Sequence, residues 1–339
     1  VSFLDRWFRR AKPYKVMLHS LSREEITGRC RAVAHSYKEQ GVATPFAVYR
    51  QIVDALVVTP GFDVRPMSQL MAPVDEEKVV ISLRHDLDGD IVTGVRAARY
   101  LARKGLPGSF YLLHTSHYYG VVENNVFHRF AGLESFVAEL IATGCELGLH
   151  CDPLYLYCVH NINGAEAVRS EIAWLGSLGV KVSGTVAHNS AIVFGAENFE
   201  VFQNKSIGGR RSFTYKGKNF PLHVLDEAKL GLTYEGNYPV LPESLDSDKV
   251  AEYLRLSTSD CVRNMEWLRY YFLDNPFFGR GYDVDIWLLG CDAWVIAKRG
   301  KGAEVLWPVK TKDVLAYLEQ LGGGVRVVIC VHPEYISGD

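Results

Sequence analysis

No apolar run in the chain approaches the roughly 18 residues that span a bilayer, so nothing in it reads as a transmembrane helix. Basic blocks are missing too: lysine and arginine are scattered, and the formal net charge is −2 over 339 residues. That removes the electrostatic reason to expect a nucleic acid or a membrane surface as partner. The seven cysteines are an odd number and form no C-x-x-C pair. Cys145 and Cys330 lie inside apolar runs and read as small buried hydrophobes. A disulfide framework is therefore not expected, and a reducing compartment, the cytoplasm, is. Val1 to Arg6 carry early charges and no signal-peptide core. Internal repeats and low-complexity tracts are lacking. Gly322-Gly323-Gly324 has neither the spacing nor the helix context of a nucleotide fingerprint and reads as a turn.

What is present is ample apolar material, 48% of residues, enough for a sizeable core. Residues 1–75 read as a helical N-terminal extension. Ser22-Arg23-Glu24-Glu25 opens a helix that runs to about Gln40 and stops at Gly41. A second helix is expected from Pro45 to Leu56, followed by turn chemistry at Pro60-Gly61-Phe62-Asp63. From residue 76 the pattern changes to short apolar runs alternating with amphipathic helices. Strands are expected at Val79–Leu83, Gly108–Leu113, Cys145–Leu149, Val180–Val186, Asp285–Leu289, Trp294–Ala297 and Val325–Val331. Helices are expected at Gly94–Lys104, Leu133–Thr143, Ala165–Leu178 and Val314–Leu321. Such alternation indicates a parallel sheet with crossover helices. Residues 195–280 mix Gly, Tyr and Asn, with a helix expected near Lys249–Phe272.

The polar residues fall where the apolar runs end. Asp86 and Asp88 follow the first run, two apart, so both carboxylates project from one face of an extended chain. His114, His150 (with Asp152 two residues on), His188 and His332 each follow a later run. One histidine after a strand is usually a satisfied structural residue, and the acid pair alone reads as a cap for the next helix. Repetition strand after strand points to a site, because β/α folds build their sites at the carboxyl ends of parallel strands. A carboxylate and two imidazoles with an open position suit a divalent metal such as Zn²⁺. A second carboxylate beside them suits a base, and a histidine across the site suits an acid.

Four segments carry a family resemblance: Arg84-His85-Asp86-Leu87-Asp88, Gly108-Ser109-Phe110-Tyr111-Leu112, Gly144-Cys145-Glu146-Leu147-Gly148-Leu149-His150 and Cys330-Val331-His332-Pro333-Glu334. In this order they resemble the polysaccharide deacetylase superfamily, and most closely its divergent members with His-Asp-x-Asp and His-Pro-Glu motifs from surface-polysaccharide gene clusters. The resemblance covers about residues 78–190 and 285–335. It implies a distorted (β/α) barrel of about seven parallel strands over residues 76–339, and metal-dependent hydrolysis of an N-acetyl group on an amino sugar or glycan precursor. Carried over by position, Asp86 resembles the base, Asp88 a metal ligand, His150 the first metal histidine and His332 the acid. Leu87 separates carboxylates that are adjacent in the mainstream family. The second metal histidine should stand four residues after His150, where this chain has Leu154. His188 is the preferred replacement, with Asp152, His114 and Cys151 as alternatives.

Other residues are weighed the same way. Arg210, in Gly208-Gly209-Arg210-Arg211, suits a phosphate or sugar carboxylate, or equally a solvated turn. Tyr118, beside Tyr119, suits a sugar ring or core packing. Glu235 and Asp292 follow apolar stretches and suit the mouth of the site or a structural role. Trp267, Trp287 and Trp294 read as core. The competing functions are a relative that has lost its metal and binds a glycan or a protein, and a metal-assisted hydrolase of another amide.

Overall fold

The computed structural model describes residues 11–189, 196–203, 205, 210–237, 282–290, 292–299 and 302–337. The helix expected near residues 249–272, Trp267 and the Gly208-Gly209 turn lie outside these residues, as does the side chain of Trp294.

The described chain opens with strand β1 (Val16–His19), helices α1 (Arg23–Glu39) and α2 (Phe46–Val58), and strand β2 (Phe62–Val64). Strand β3 (Val79–Leu87), helix α3 (Ile91–Lys104) and strand β4 (Ser109–Leu113) follow, then the hairpin β5 (Gly120–Glu123) and β6 (Val126–Phe130). Next come helix α4 (Leu133–Ala142), strand β7 (Glu146–Cys151), helices α5 (Pro153–His160) and α6 (Gly164–Ser177), and strand β8 (Gly184–Ala187). Strands β9 (Ser212–Tyr215), β10 (Lys218–Pro221) and β11 (Tyr234–Glu235) lead to β12 (Val284–Leu289), β13 (Asp292–Arg299) and β14 (Gly302–Lys310). Helix α7 (Val314–Leu318) and strand β15 (Arg326–Val331) are the last α-helix and strand described, and a short 3-10 turn at Pro333–Ile336 follows. None of the described helices is long and apolar enough to cross a membrane.

The main sheet runs in the order β11-β8-β7-β4-β3-β15-β12-β13-β14, with β2 beside the start of β3. From β11 through β12 neighbours are parallel, whereas β12-β13-β14 is antiparallel. This corrects the expected barrel of about seven parallel strands. The sheet curls but stays open, a half-barrel. One edge is the two-residue strand β11, and the other is β14, the outer strand of an antiparallel hairpin. Among the described residues no pairing joins these edges.

The helices form where their ends are marked. Ser22 and Glu25 make a reciprocal capping box at α1. Asp90 accepts the Thr93 amide at the start of α3, and Gly105 in the left-handed region ends it. The inner face of α3 buries Val95, Ala98 and Leu101 on the sheet, a large aliphatic side chain contributing about 1.5–3 kcal/mol when fully buried. All nine residues of β3 are buried, which matches a central parallel strand covered on both faces. The N-terminal extension is woven into the rest. β1 pairs in parallel with β6 in a separate three-stranded sheet, and β2 pairs with β3. A buried ion pair locks this region: Arg129 grips Glu171, whose oxygens also accept the Tyr14 and Tyr119 hydroxyls.

Candidate metal centre

Because β15, β3, β4, β7 and β8 are parallel neighbours, their carboxyl ends open on one edge of the sheet. Val331 lies opposite His85, Asp86 opposite Tyr111, Leu113 opposite His150, and Cys151 opposite Ala187. The residues just past these positions therefore meet in space although they are far apart in the chain. Alternation along β3 puts Arg84 and Asp86 on one face, and Asp88 follows in a turn closed by its own amide donating to the Asp86 carbonyl.

Asp88, His150 and His188 come together, with one donor atom from each lying within 4.8 Å of the others. The His150 Nδ1 stands 2.9 Å from the Val186 carbonyl oxygen. A carbonyl only accepts, so Nδ1 carries a proton, and in the neutral ring Nε2 is the nitrogen left to bind a metal. That Nε2 is 3.1 Å from Asp88 Oδ1, a buried oxygen that receives no hydrogen bond. His188 repeats the arrangement: Nδ1 is 3.3 Å from Asp152 Oδ2 and Nε2 is 3.7 Å from Asp88 Oδ2. Lone pairs facing one another at these distances repel unless a cation or a proton sits between them. Two donors on one tetrahedral zinc, each about 2.0–2.1 Å from it, lie roughly 3.3 Å apart. The three residues fit a metal.

Their support is also in place. Asp152 Oδ2 accepts from the Thr115 hydroxyl and its Oδ1 from the Asn198 amide, so the carboxylate that orients His188 is itself held. Asn198 also donates to the His188 carbonyl. Such carboxylate–histidine contacts fix the tautomer of a metal-binding imidazole. Burial pushes the Asp88 pKa up, but the neighbouring His150 and His188 more than offset it and hold the carboxyl well below the usual range. His188 is pushed up: burial opposes its charge, and the Asp88 and Asp152 carboxylates outweigh the burial.

Asp86 and His332 flank the triad, and with Cys330 they form a second group of three potential donors within 4.8 Å. Here the cation's place is filled by the chain itself. Arg84 Nε lies 2.9 and 3.0 Å from the two Asp86 oxygens, and its Nη2 also donates to Oδ2. The Asp86 carboxyl feels burial upward and the Arg84 and His150 charges downward, and it settles at about 2. It is ionised at neutral pH. His332 Nε2 lies 3.6 Å from Asp88 Oδ2, and burial keeps its pKa below the ordinary histidine value even though the carboxylates oppose this. Glu334 is buried next to the Asp88 turn, and burial together with Asp88 keeps its carboxyl far above the usual range, in the neutral form.

The remaining expected residues are placed elsewhere. Leu154 is fully buried in the core. His114 Nε2 accepts the Asp152 amide, the Cys151 thiol lies 3.7 Å from the Leu149 carbonyl oxygen, and neither belongs to the Asp88 group. The three residues weighed as substrate contacts have partners within the chain. Tyr118 is fully buried, with its hydroxyl donating to the Leu87 carbonyl and accepting the Leu113 amide; it braces the Asp88 turn and cannot stack on a sugar. Glu235 is fully buried and its oxygens accept the Ala187 and Asn237 amides, which fixes the strand end just before His188. Arg210 is committed to buried Glu200. Asp292 pairs with Lys310 at the far hairpin. Sequence reasoning gave no role to Arg84 or Asn198. Alternation along β3 pointed to the first; nothing in the sequence around Asn198 points to the second.

No family model, no curated protein and no solved structure matches this chain.

Proposed function

We propose that this chain is a metal-dependent hydrolase of the carbohydrate deacetylase type, a divergent relative of the polysaccharide deacetylase superfamily. It removes an N-acetyl or similar acyl group from an amino sugar or glycan precursor. The observation that carries this reading is the convergence of Asp88, His150 and His188 with an ionised Asp86 on one side and His332 on the other. Asp88, His150 and His188 would hold a divalent ion, zinc in this reading. Such an ion polarises a carbonyl and acidifies water to a pKa of about 7.

The chain's own groups then divide the proton work. Asp86 Oδ2 is 3.9 Å from His150 Nε2, next to the place where the donors converge, and accepts the proton of the attacking water. A carboxylate with a pKa of about 2 is a weak base, so the water it serves has to be acidic, and this supports the metal. His332 hands its proton to the departing amine nitrogen. Arg84 keeps Asp86 charged and aimed, while Cys330, 3.5 Å from Asp86 Oδ2, stays a thiol because burial and then Asp86 push its pKa well up.

The test is elemental analysis of the purified protein, wild type beside Asp88→Ala and His150→Ala, followed by assay of acetate release from acetylated amino sugars. About one divalent ion per chain, lost in both variants together with acetate release, is the expected result. A wild-type chain that takes up no metal after soaking with zinc overturns the reading.

A further inference from the structure

Helix α1 lies in the N-terminal extension, far in sequence from the later strands of the metal centre, yet one side of it reaches that centre. Ile26, Cys30, Val33 and Tyr37 recur along it at helical spacing. The first two are buried in the core, whereas Val33 and Tyr37 are half-buried. Val33 packs on the turn beside Asp88: a Cβ on Gly89 would come within 3.1 Å of its Cγ1. Tyr37, one turn further along, meets the 3-10 turn at Pro333–Ile336, where its ring lies 4.8 Å from that of Tyr335, edge to face at 80°. Tyr335 in turn stands 6.0 Å from the His332 ring, at 86°.

The backbone holds this corner in place. The Tyr335 carbonyl accepts the Thr44 amide, and its own amide donates to the His332 carbonyl. Tyrosines that only fill the core are covered, as Tyr49, Tyr118 and Tyr119 are. Tyr37 and Tyr335 instead keep exposed surface, beside the acid histidine and at the carboxyl edge of the sheet. In the same segment, His332 Nδ1 and Glu334 Oε2 are buried with no hydrogen-bond partner among the described residues. Polar atoms in that state mark places where a water or a ligand completes the set. An aromatic ring is negative on its face, and a pyranose ring offers it a face of slightly positive C–H bonds.

We propose that Tyr37 and Tyr335 form a platform on which a pyranose ring of the substrate lies, so that α1 supplies one wall of the site. This deepens the hydrolase reading and rests on it for the presence of a sugar at the metal centre. The platform selects substrates whose amide is borne on a sugar ring. It gives no hold to an acylated amine on a flexible chain, so it also separates a carbohydrate substrate from other amides.

The test titrates the whole purified chain, soaked with zinc, with tri-N-acetylchitotriose by calorimetry, and with N-acetyl-lysine as an amide that lacks a sugar ring. Both titrations are repeated with Tyr37→Leu and Tyr335→Leu, which keep apolar bulk but remove the aromatic face, and with Tyr37→Phe. Metal content and thermal midpoint are measured for each protein. Saturable binding of the trimer, weakened about tenfold in either Leu variant at unchanged metal content and midpoint and kept in Tyr37→Phe, supports the platform. Binding that both Leu variants leave unchanged overturns it, as does weakening that only follows a lower midpoint. So does equal binding of N-acetyl-lysine, or no trimer binding by a chain that holds its metal, and these results leave the hydrolase reading in place. Trimer binding that depends on both rings in a chain without metal means the reverse: the platform stands and the hydrolase reading falls. A chain that takes up neither metal nor trimer ends both.

Discussion

His85 stands between Phe110, stacked 4.1 Å from its ring, and the Tyr49 hydroxyl. Its Nδ1 donates to the Ser109 carbonyl, so its Nε2 accepts from Tyr49. Burial lowers its pKa from 6.5 to about 4. In the unfolded chain the ring takes a proton as soon as the pH falls through 6.5, whereas the folded chain resists until about 4. The stability this supplies is complete above 6.5 and drains away down to about 4, a loss on the order of 3 kcal/mol. Urea midpoints measured at several pH values should fall over that window, and His85→Gln, which does not titrate there, should flatten the slope. At the metal centre, Asp152→Asn removes the charge behind His188, and metal affinity measured against a chelating dye should drop about 10–100-fold. His332 must be protonated to act as an acid, and its pKa lies below the ordinary 6.5. The rate should therefore fall as pH rises through that lowered value. A basic limb well above it would take His332 out of the acid role.

Among the elements, β7 is the one on which the site's spacing depends. It brings His150 against β8, just past which His188 lies, and at Gly148 the packing leaves no room for a side chain. A Cβ there would lie 2.6 Å from the Gly184 carbonyl oxygen and 2.7 Å from the Tyr111 ring. The carbonyl belongs to the sheet and cannot swing aside. Gly148→Ala should thus cost about 1–3 kcal/mol and spread His150 from His188, seen as a lower thermal midpoint and weaker metal uptake. The same strands show what was legible in the sequence. Apolar runs bounded by turn residues located β3, β4, β7 and β15 to within a few residues, because centrally buried parallel strands have little else to say. The placement of His150, His188 and His332 after such runs brought the triad and its neighbour together, since parallel strands share one carboxyl edge. The open sheet was not legible: the hairpin β13–β14 reads locally like any other pair of strands, and only its pairing shows that the sheet turns antiparallel at that edge. Nor were the Tyr118, Glu235 and Arg210 roles legible, because an exposed ligand contact and a buried brace use the same residue types. The β5–β6 hairpin and its parallel partner β1 also went unread, since nothing local signals a pairing about 110 residues away.

For the molecule as a whole, a metal at this centre would tie together three strands, β3, β7 and β8, that loops and helices otherwise join. A ligand bound only by the folded state stabilises it by about 2.7 kcal/mol at a hundred times its dissociation constant. Thermal midpoints should therefore fall on dialysis against a chelator and recover with zinc, while the Asp88→Ala variant should ignore both treatments. The order of the strands has a consequence for biosynthesis. β15 pairs with β3 on one side and β12 on the other, so it is the seam of the sheet. It also emerges from the ribosome about 240 residues after β3 has been made. Until then β3 and β12 each present an open apolar edge, the kind that invites wrong pairing. A nascent chain halted before Arg326 should be a chaperone client with no acid histidine and no closed seam. Release of the last strand would then join the two halves of the sheet and deliver His332 to the site in a single step.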